Sequence, residues 1–197
     1  MKRLRVGFIL LVLVIIPLHV RAGVPFDTVK GHVSEVLKVL RDPALQSEAN
    51  KEAKQEKIEA IADEMFDYVA LSRLTLGRNW RKFNSDQKKE FIQLYRSILE
   101  KAYMDRILSY TDEKVTFGKE TMLSEKKAEV QTHILTKSLE IPIFYRVYLK
   151  DGTWKVYDVI IEGISLIKNY RTQFRDILAN NPPEEVLKIL RKKTEKA

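Results

Sequence analysis

The stretch from Ile141 to Leu178, IPIFYRVYLKDGTWKVYDVIIEGISLIKNYRTQFRDIL, constrains this chain more than any other. At its centre Asp151-Gly152 separates two runs rich in Val, Ile, Tyr and Trp. Such a dipeptide takes positive φ at little cost and closes a two-residue hairpin whose twist matches its strands. Because side chains alternate along a strand, Ile141 to Lys150 places Ile141, Ile143, Tyr145, Val147 and Leu149 on one face. Phe144 and Tyr148 share the other face with Pro142, Arg146 and Lys150. The returning strand, Thr153 to Ile161, places Trp154, Val156, Asp158 and Ile160 on one side, and Lys155, Tyr157, Val159 and Ile161 on the other. Both faces are partly apolar, so each needs cover or a ligand. Gly163 ends the strand, and Ile164, Ile167, Tyr170, Phe174, Ile177 and Leu178 follow at helical spacing.

The chain opens differently. Lys2, Arg3 and Arg5 precede an apolar run from Val6 to Val20, and Val20-Arg21-Ala22 precedes Gly23. That layout predicts a secretory signal peptide over residues 1–22, cut after Ala22. The run is too short for a spanning helix, which needs about 20 apolar residues. Removing it takes 22 residues from 197 and leaves 175, the size of one domain, 23–197. It also takes four basic residues and no acidic ones, so the formal charge falls from +8 to +4. Export, and the lack of a basic stripe interleaved with aromatics, exclude nucleic acid as a partner.

Helical spacing continues from Pro25 to Arg41, with a stripe of Val29, Val33, Val36, Leu37 and Leu40, and Asp42-Pro43 breaks it. A second helix is predicted over Ser47–Met65, charged all round in its first half. A third, Tyr68–Leu76, ends at Gly77. Asn79 to Phe83 forms an aromatic connection around Trp80, and Ser85 offers the N-cap of the longest helix, Asp86–Tyr110. Strands then follow over Lys114–Gly118 and Ala128–Lys137, before the hairpin. A last helix runs over Glu184–Lys193. Helices, then antiparallel strands, then helices predict an α+β domain. About four antiparallel strands pack against several helices, and a sheet apolar on both faces permits a cavity between the two layers.

Signals for chemistry are sparse. Cysteine is absent, and the three histidines, His19, His32 and His133, are isolated, so no metal site is expected. Gly163-Ile164-Ser165 lacks the second glycine of a nucleophile elbow. Ser165 reads better as a helix cap, with Glu162 near the same N-terminus. Asp158, mid-strand among apolar neighbours, reads either as a pocket base or headgroup contact, or as a structural carboxylate. In the structural reading Arg171 or Arg78 holds it. That reading carries more weight, because a buried charge without a partner is very costly.

Two blocks carry a family resemblance. WKVYDVIIEGISLIKNYRTQF, from Trp154, is one; FDYVALSRLTLGRNWRKFNSDQKKEFIQLYRSILEKAY, Phe66 to Tyr103, is the other. In order and spacing they resemble the MlaC-like, or toluene-tolerance, family of periplasmic phospholipid-binding proteins. The resemblance implies a twisted antiparallel sheet packed against helices around a hydrophobic pocket, in a periplasmic carrier that holds the acyl chains of a phospholipid there and catalyses nothing. Phospholipid is then cargo, not a cofactor. The implied partners are an inner-membrane ABC transporter with an MCE-type complex and an outer-membrane lipoprotein-porin complex. The inward-facing sheet positions Ile143, Tyr145, Val147, Val156 and Ile160, with Ile98, Ile164 and Ile167 from helices, are the expected lining; the opposite strand faces are the alternative, since a one-residue shift in alternation exchanges them. Asp158, Arg171, Gly163 and Trp80 are expected to be structural, and Arg78, Arg81 and Lys82 to form a solvated charged surface, with contact to partners or headgroups as the alternative.

Two other readings fit the same residues. One is an enzyme of the ketosteroid-isomerase-like cone fold, with Asp158 and Tyr145 as the acid/base set. The other is an interaction protein whose pocket is only core. The leader yields the first prediction: the intact mass of the exported protein should start at Gly23, and a mass that includes residues 1–22 refutes cleavage there.

Overall fold

The computed structural model describes residues 24–110 and 113–195, so the expected signal peptide lies outside the described residues. Six α-helices and five strands occur among the described residues. Helix α1 is Pro25–Arg41, with proline in the first turn, where its missing N–H costs nothing. Asp42 stops it and turns the chain, its carboxylate accepting from Ala44 N–H at 2.9 Å. Helix α2, Lys51–Met65, starts later than the predicted Ser47, because Glu48–Asn50 winds as a 3-10 turn. Helix α3, Tyr68–Leu76, ends at Gly77 with φ 55°, a conformation that glycine adopts cheaply. A 3-10 segment, Gly77–Lys82, leads to α4, Ser85–Leu108. The cap of α4 is Asn84, not the expected Ser85. Asn84 Oδ1 accepts from Gln87 N–H at 2.9 Å, and Gln87 Oε1 accepts from Asn84 N–H at 3.1 Å, a reciprocal capping box.

The strands are β1, Lys114–Ser124; β2, Lys127–Leu135; β3, Glu140–Lys150; β4, Thr153–Ile161; and β5, Ile164–Ser165. They form one open antiparallel sheet in chain order. Five strands replace the expected four because Gly163 does not end the sheet. Glu162 (φ 49°) and Gly163 (φ 81°) form a second tight turn, and Ile164 pairs back onto Ile161. The β3–β4 hairpin turns at Asp151 (φ 48°) and Gly152 (φ 81°), as its sequence requires. Strand β1 extends past Gly118 to Ser124, with register breaks between Phe117 and Glu120 and between Met122 and Ser124.

The break in β4 matters most for the site. Arg146 faces Asp158 and Val147 faces Val156, which leaves Tyr157 without a residue opposite. This β-bulge reverses the alternation of β4. Trp154 and Val156 face the core before it; Val159 and Ile161 do so after it. Asp158 and Ile160 pair with Arg146 and Phe144 and so share the opposite face. Plain alternation, which put all four even positions together, fails at this one residue.

Helix α5, Leu166–Asn180, and α6, Pro183–Glu195, return over the helical layer. The main core joins Leu71, Phe91, Tyr95, Phe174, Leu178 and Leu187 to the sheet residues Val130, Val147 and Val156. Phe83, Phe91, Tyr95, Tyr170 and Phe174 form a run of ring contacts, with centroids 5.1 to 6.0 Å apart. Arg191 fastens α6 to α4, its Nε 2.6 Å and its Nη2 2.9 Å from the two oxygens of Glu90.

Two glycines test the backbone argument with opposite signs. A methyl group on either Gly152 or Gly31 meets nothing within 4 Å. Gly152 has φ 81°, so Gly152→Ala should destabilise by about 1–2 kcal/mol. Gly31 lies inside α1, so Gly31→Ala should stabilise by about 0.5–1 kcal/mol. Urea unfolding measures both, and shifts of the same sign would contradict the assignment.

Candidate apolar trough and its supports

Opposed pairs of an antiparallel ladder share a face, so the register defines the inner surface of the sheet. Across β2 and β3 the inner pairs are Ala128 with Val147, Val130 with Tyr145, Thr132 with Ile143 and Ile134 with Ile141. Strand β4 adds Trp154, Val156, Val159 and Ile161. Burial along this surface is graded. At the hairpin end Ala128, Val130 and Val147 are fully buried and Val156 is 1% exposed. At the far end Ile134, Ile141, Ile143 and Ile161 are only half-buried. Ile164, 62% exposed, and Leu139, 65% exposed, stand beyond them. Leu139 is held there by a tight turn, its carbonyl accepting from Thr136 N–H at 2.9 Å.

The helical cover is also divided. Val33 of α1 and Ile98 of α4 pack against the main core. Further along the same helices, Val36 and Ile107 join a separate cluster of Leu40, Ile58 and Met104. The apolar interior is therefore in two pieces. The inner face of the sheet, here termed the trough, is thus apolar along its length, fully buried near Val147 and increasingly exposed toward Ile164.

One polar pair lies inside. Thr132, 1% exposed, donates its hydroxyl to Ile143 O at 2.8 Å, and Tyr145 pairs with the same hydroxyl. Desolvation pushes the Tyr145 phenol up to about 12, with the Thr132 contact opposing it, so it stays neutral at physiological pH. The trough thus carries no charge at its centre.

The expected lining residues divide accordingly. Ile143, Tyr145, Val147 and Val156 lie on the inner face, and Ile98 faces the main core from α4. Ile160 does not line it, because the Tyr157 bulge turns Ile160 to the other face. Ile164 stands at the rim instead of inside, since it belongs to β5 and not to a helix. Ile167 is buried at the start of α5, where its N–H donates to Asp158 and Leu166 takes the place in the main core.

Asp158 has both of its carboxylate oxygens engaged. It is 3% exposed; Oδ2 accepts from Ser165 Oγ at 2.7 Å and Oδ1 from Ile167 N–H at 3.1 Å. Ser165 Oγ in turn accepts from Lys168 N–H at 3.2 Å, so the two side chains together cap α5. The arginine beside Asp158 is Arg146, at 3.8 Å and also bound to Glu129 at 3.1 Å. Neither Arg171 nor Arg78 is its partner. Arg171 instead donates to Leu74 O from Nε at 3.0 Å, tying α5 to α3. Trp80 is half-buried against the main core, with the Lys88 ammonium 5.4 Å from its ring centroid. Asp158 and Tyr145 project from opposite faces, so they do not converge as an acid/base pair.

Sequence reasoning passed over Asp67, the N-cap of α3. Its N–H donates to Val156 O at 2.9 Å, and the adjoining Phe66 bridges Val156 in parallel, covering that edge of β4. Asp67 Oδ1 accepts from Ala70 N–H at 2.9 Å, and Oδ2 accepts from Lys150 Nζ at 2.6 Å and from the Tyr148 hydroxyl. The signal was an aspartate just before a helical run; its distant partners left none.

A sequence model of the family described as MlaC protein matches residues 30–192, which take in the whole trough and its supports. The chain belongs to the MlaC family. Toluene tolerance protein ttg2D of Pseudomonas putida is 27% identical over 180 residues, covering 90% of this chain and 84% of that one. The intermembrane phospholipid transport system binding protein MlaC of Haemophilus influenzae is 22% identical over 117 residues, covering 55% of each. Among solved structures, a phospholipid-binding protein from Ralstonia solanacearum in complex with a phospholipid has a TM-score of 0.78 at 21% identity. That match covers 88% of this chain and 98% of the other.

Asp67 gives this MlaC family member a testable dependence on pH. Burial raises its pKa, but the Lys150, Tyr148 and Ala70 hydrogen bonds outweigh burial and hold it below the ordinary 3.8. A depressed pKa means stabilisation that is complete above about pH 4 and lost as pH falls through the native value. Asp67→Asn should therefore lower Tm at pH 7 and flatten the acid limb of Tm against pH. A variant whose acid limb is as steep as wild type would show that Asp67 is not its source.

Proposed function

We propose that this protein is a periplasmic phospholipid carrier and that the acyl chains occupy the trough between the sheet and helices α1 and α4. The observation that carries the reading is the graded burial of one continuous apolar face, from fully buried Val147 to exposed Ile164. An apolar surface left half-open by its own fold is stabilised by an apolar ligand, at about 0.8 kcal/mol per buried methylene. The open end leaves a charged headgroup in water, where it loses no solvation. Family membership and the names of the relatives support the same cargo.

The finer assignments follow from that reading. The cargo passes between an outer-membrane lipoprotein-porin complex and an inner-membrane ABC transporter with its MCE-type complex. The predicted leader and the absence, among the described residues, of any helix long and apolar enough to cross a membrane fit a periplasmic shuttle. The protein carries lipid without transforming it and needs no cofactor; energy for transport comes from the partner. The separation of Asp158 and Tyr145 onto opposite faces argues against the cone-fold enzyme.

Organic extraction and mass spectrometry of Gly23–Ala197, purified without detergent, test this directly. Stoichiometric diacyl phospholipid is expected. Ile143→Glu, which places a charge in the trough, should abolish it, while Val69→Glu, at an exposed position of α3, should not. Wild-type protein that stays lipid-free after incubation with phospholipid vesicles overturns the carrier.

A further inference from the structure

One flank of the molecule carries charge of a single sign. A 3-10 segment turns once in three residues, so Arg78 and Arg81 lie one above the other, and both are exposed. Lys82 of the same segment donates to Leu178 O of α5 at 3.1 Å. Arg171 of α5 donates to Leu74 O of α3, and its Nε lies 3.8 Å from where a side chain on Gly77 would start. These contacts join the end of α3, the 3-10 segment and α5 into one surface. Arg73 on α3 and Lys168 on α5 extend it, and both are exposed. No ion pair within 4 Å neutralises any of these six among the described residues. Two nearby carboxylates are engaged by other cations, Asp86 by Lys89 at 3.9 Å and Asp176 by Arg175 at 3.1 Å.

The flank adjoins the mouth of the trough. Lys168 follows exposed Ile164 by four residues, and Arg171 is about one turn further along α5. We propose that this flank is a landing surface for an anionic bilayer, an inference that takes its purpose from the carrier reading. Guanidinium forks match phosphate oxygens in geometry as well as charge, and four of the six cations are arginines. Contact there brings Ile164 and the open end of the trough to the lipid surface. Without a deep apolar anchor the attachment is electrostatic and reversible, as a shuttle requires.

Vesicle co-sedimentation of the mature protein tests the proposal, with vesicles of phosphatidylcholine alone or in equal mixture with phosphatidylglycerol. Binding should require the anionic lipid and vanish in about 1 M salt, where the Debye length is about 3 Å. Arg78→Gln with Arg81→Gln should weaken it by roughly tenfold or more. The pair Lys38→Gln with Lys57→Gln removes the same net charge from exposed sites on α1 and α2 and should leave binding nearly unchanged. Equal binding to both vesicles, no binding to either, full binding by the arginine pair, or an equal loss in the lysine pair would each overturn it. No binding to either would turn the flank toward an acidic protein face. Lipid content, extracted from the same samples, separates the two claims. An arginine pair that keeps its lipid but no longer lands isolates the flank. A wild type that lands without ever carrying lipid refutes the carrier and leaves the flank standing.

Discussion

A single unpaired residue in β4 sets the geometry on which the rest depends. Without the bulge, with Tyr157 paired in the ladder, strict alternation would turn Asp158 and Ile160 into the trough and Val159 and Ile161 out of it. The bulge lets one strand do two jobs. Its first half closes the core with Trp154 and Val156, and its second half lines the trough while presenting Asp158 to the start of α5. A charge is thereby kept out of the apolar surface and used where helix N–H groups need an acceptor.

Helix placement depends on two carboxylates, each spending its oxygens on more than one element. Asp158 joins β4 to β5 and α5. Asp67 joins α3 to β3, and its backbone joins the α2–α3 corner to β4. In both cases several donors offset desolvation, the condition under which a buried charge is tolerated. Together they hold the starts of α3 and α5 against the sheet.

Much of this was legible in the chain. Asp151-Gly152 specified its turn, the 3.6-residue spacing located α1, α3 and α4, and Gly77 marked where α3 stops. The inner face of β3 followed from alternation alone, which placed Ile143, Tyr145 and Val147 correctly. What stayed hidden has common causes. Tyr157 is a good strand residue, and nothing local distinguishes a bulge from continued pairing. Ile164 suits a helix by spacing, yet the Glu162-Gly163 turn folds it back as a strand. Asp67 declares a helix cap, but Tyr148 and Lys150 lie more than 80 residues away in sequence. Gly118 suggested an end to β1, whereas the strand absorbs it at a register break. Local chemistry is read from neighbours in sequence; these features depend on neighbours in space.

Among the described residues strand β1 pairs only with β2, so its other side offers a row of backbone groups to any strand that meets it. Such an edge is a template for self-association, most of all at high concentration or during folding. Its irregularity answers the hazard. Two register breaks interrupt the spacing that an incoming strand would have to match, and Lys114 and Lys119 place charge along it. The Glu120 carboxylate also accepts from Phe26 N–H of α1 at 2.7 Å, which draws a helix start over part of the strand. A protein that must keep one apolar surface accessible is thus guarded against aggregating through a different one.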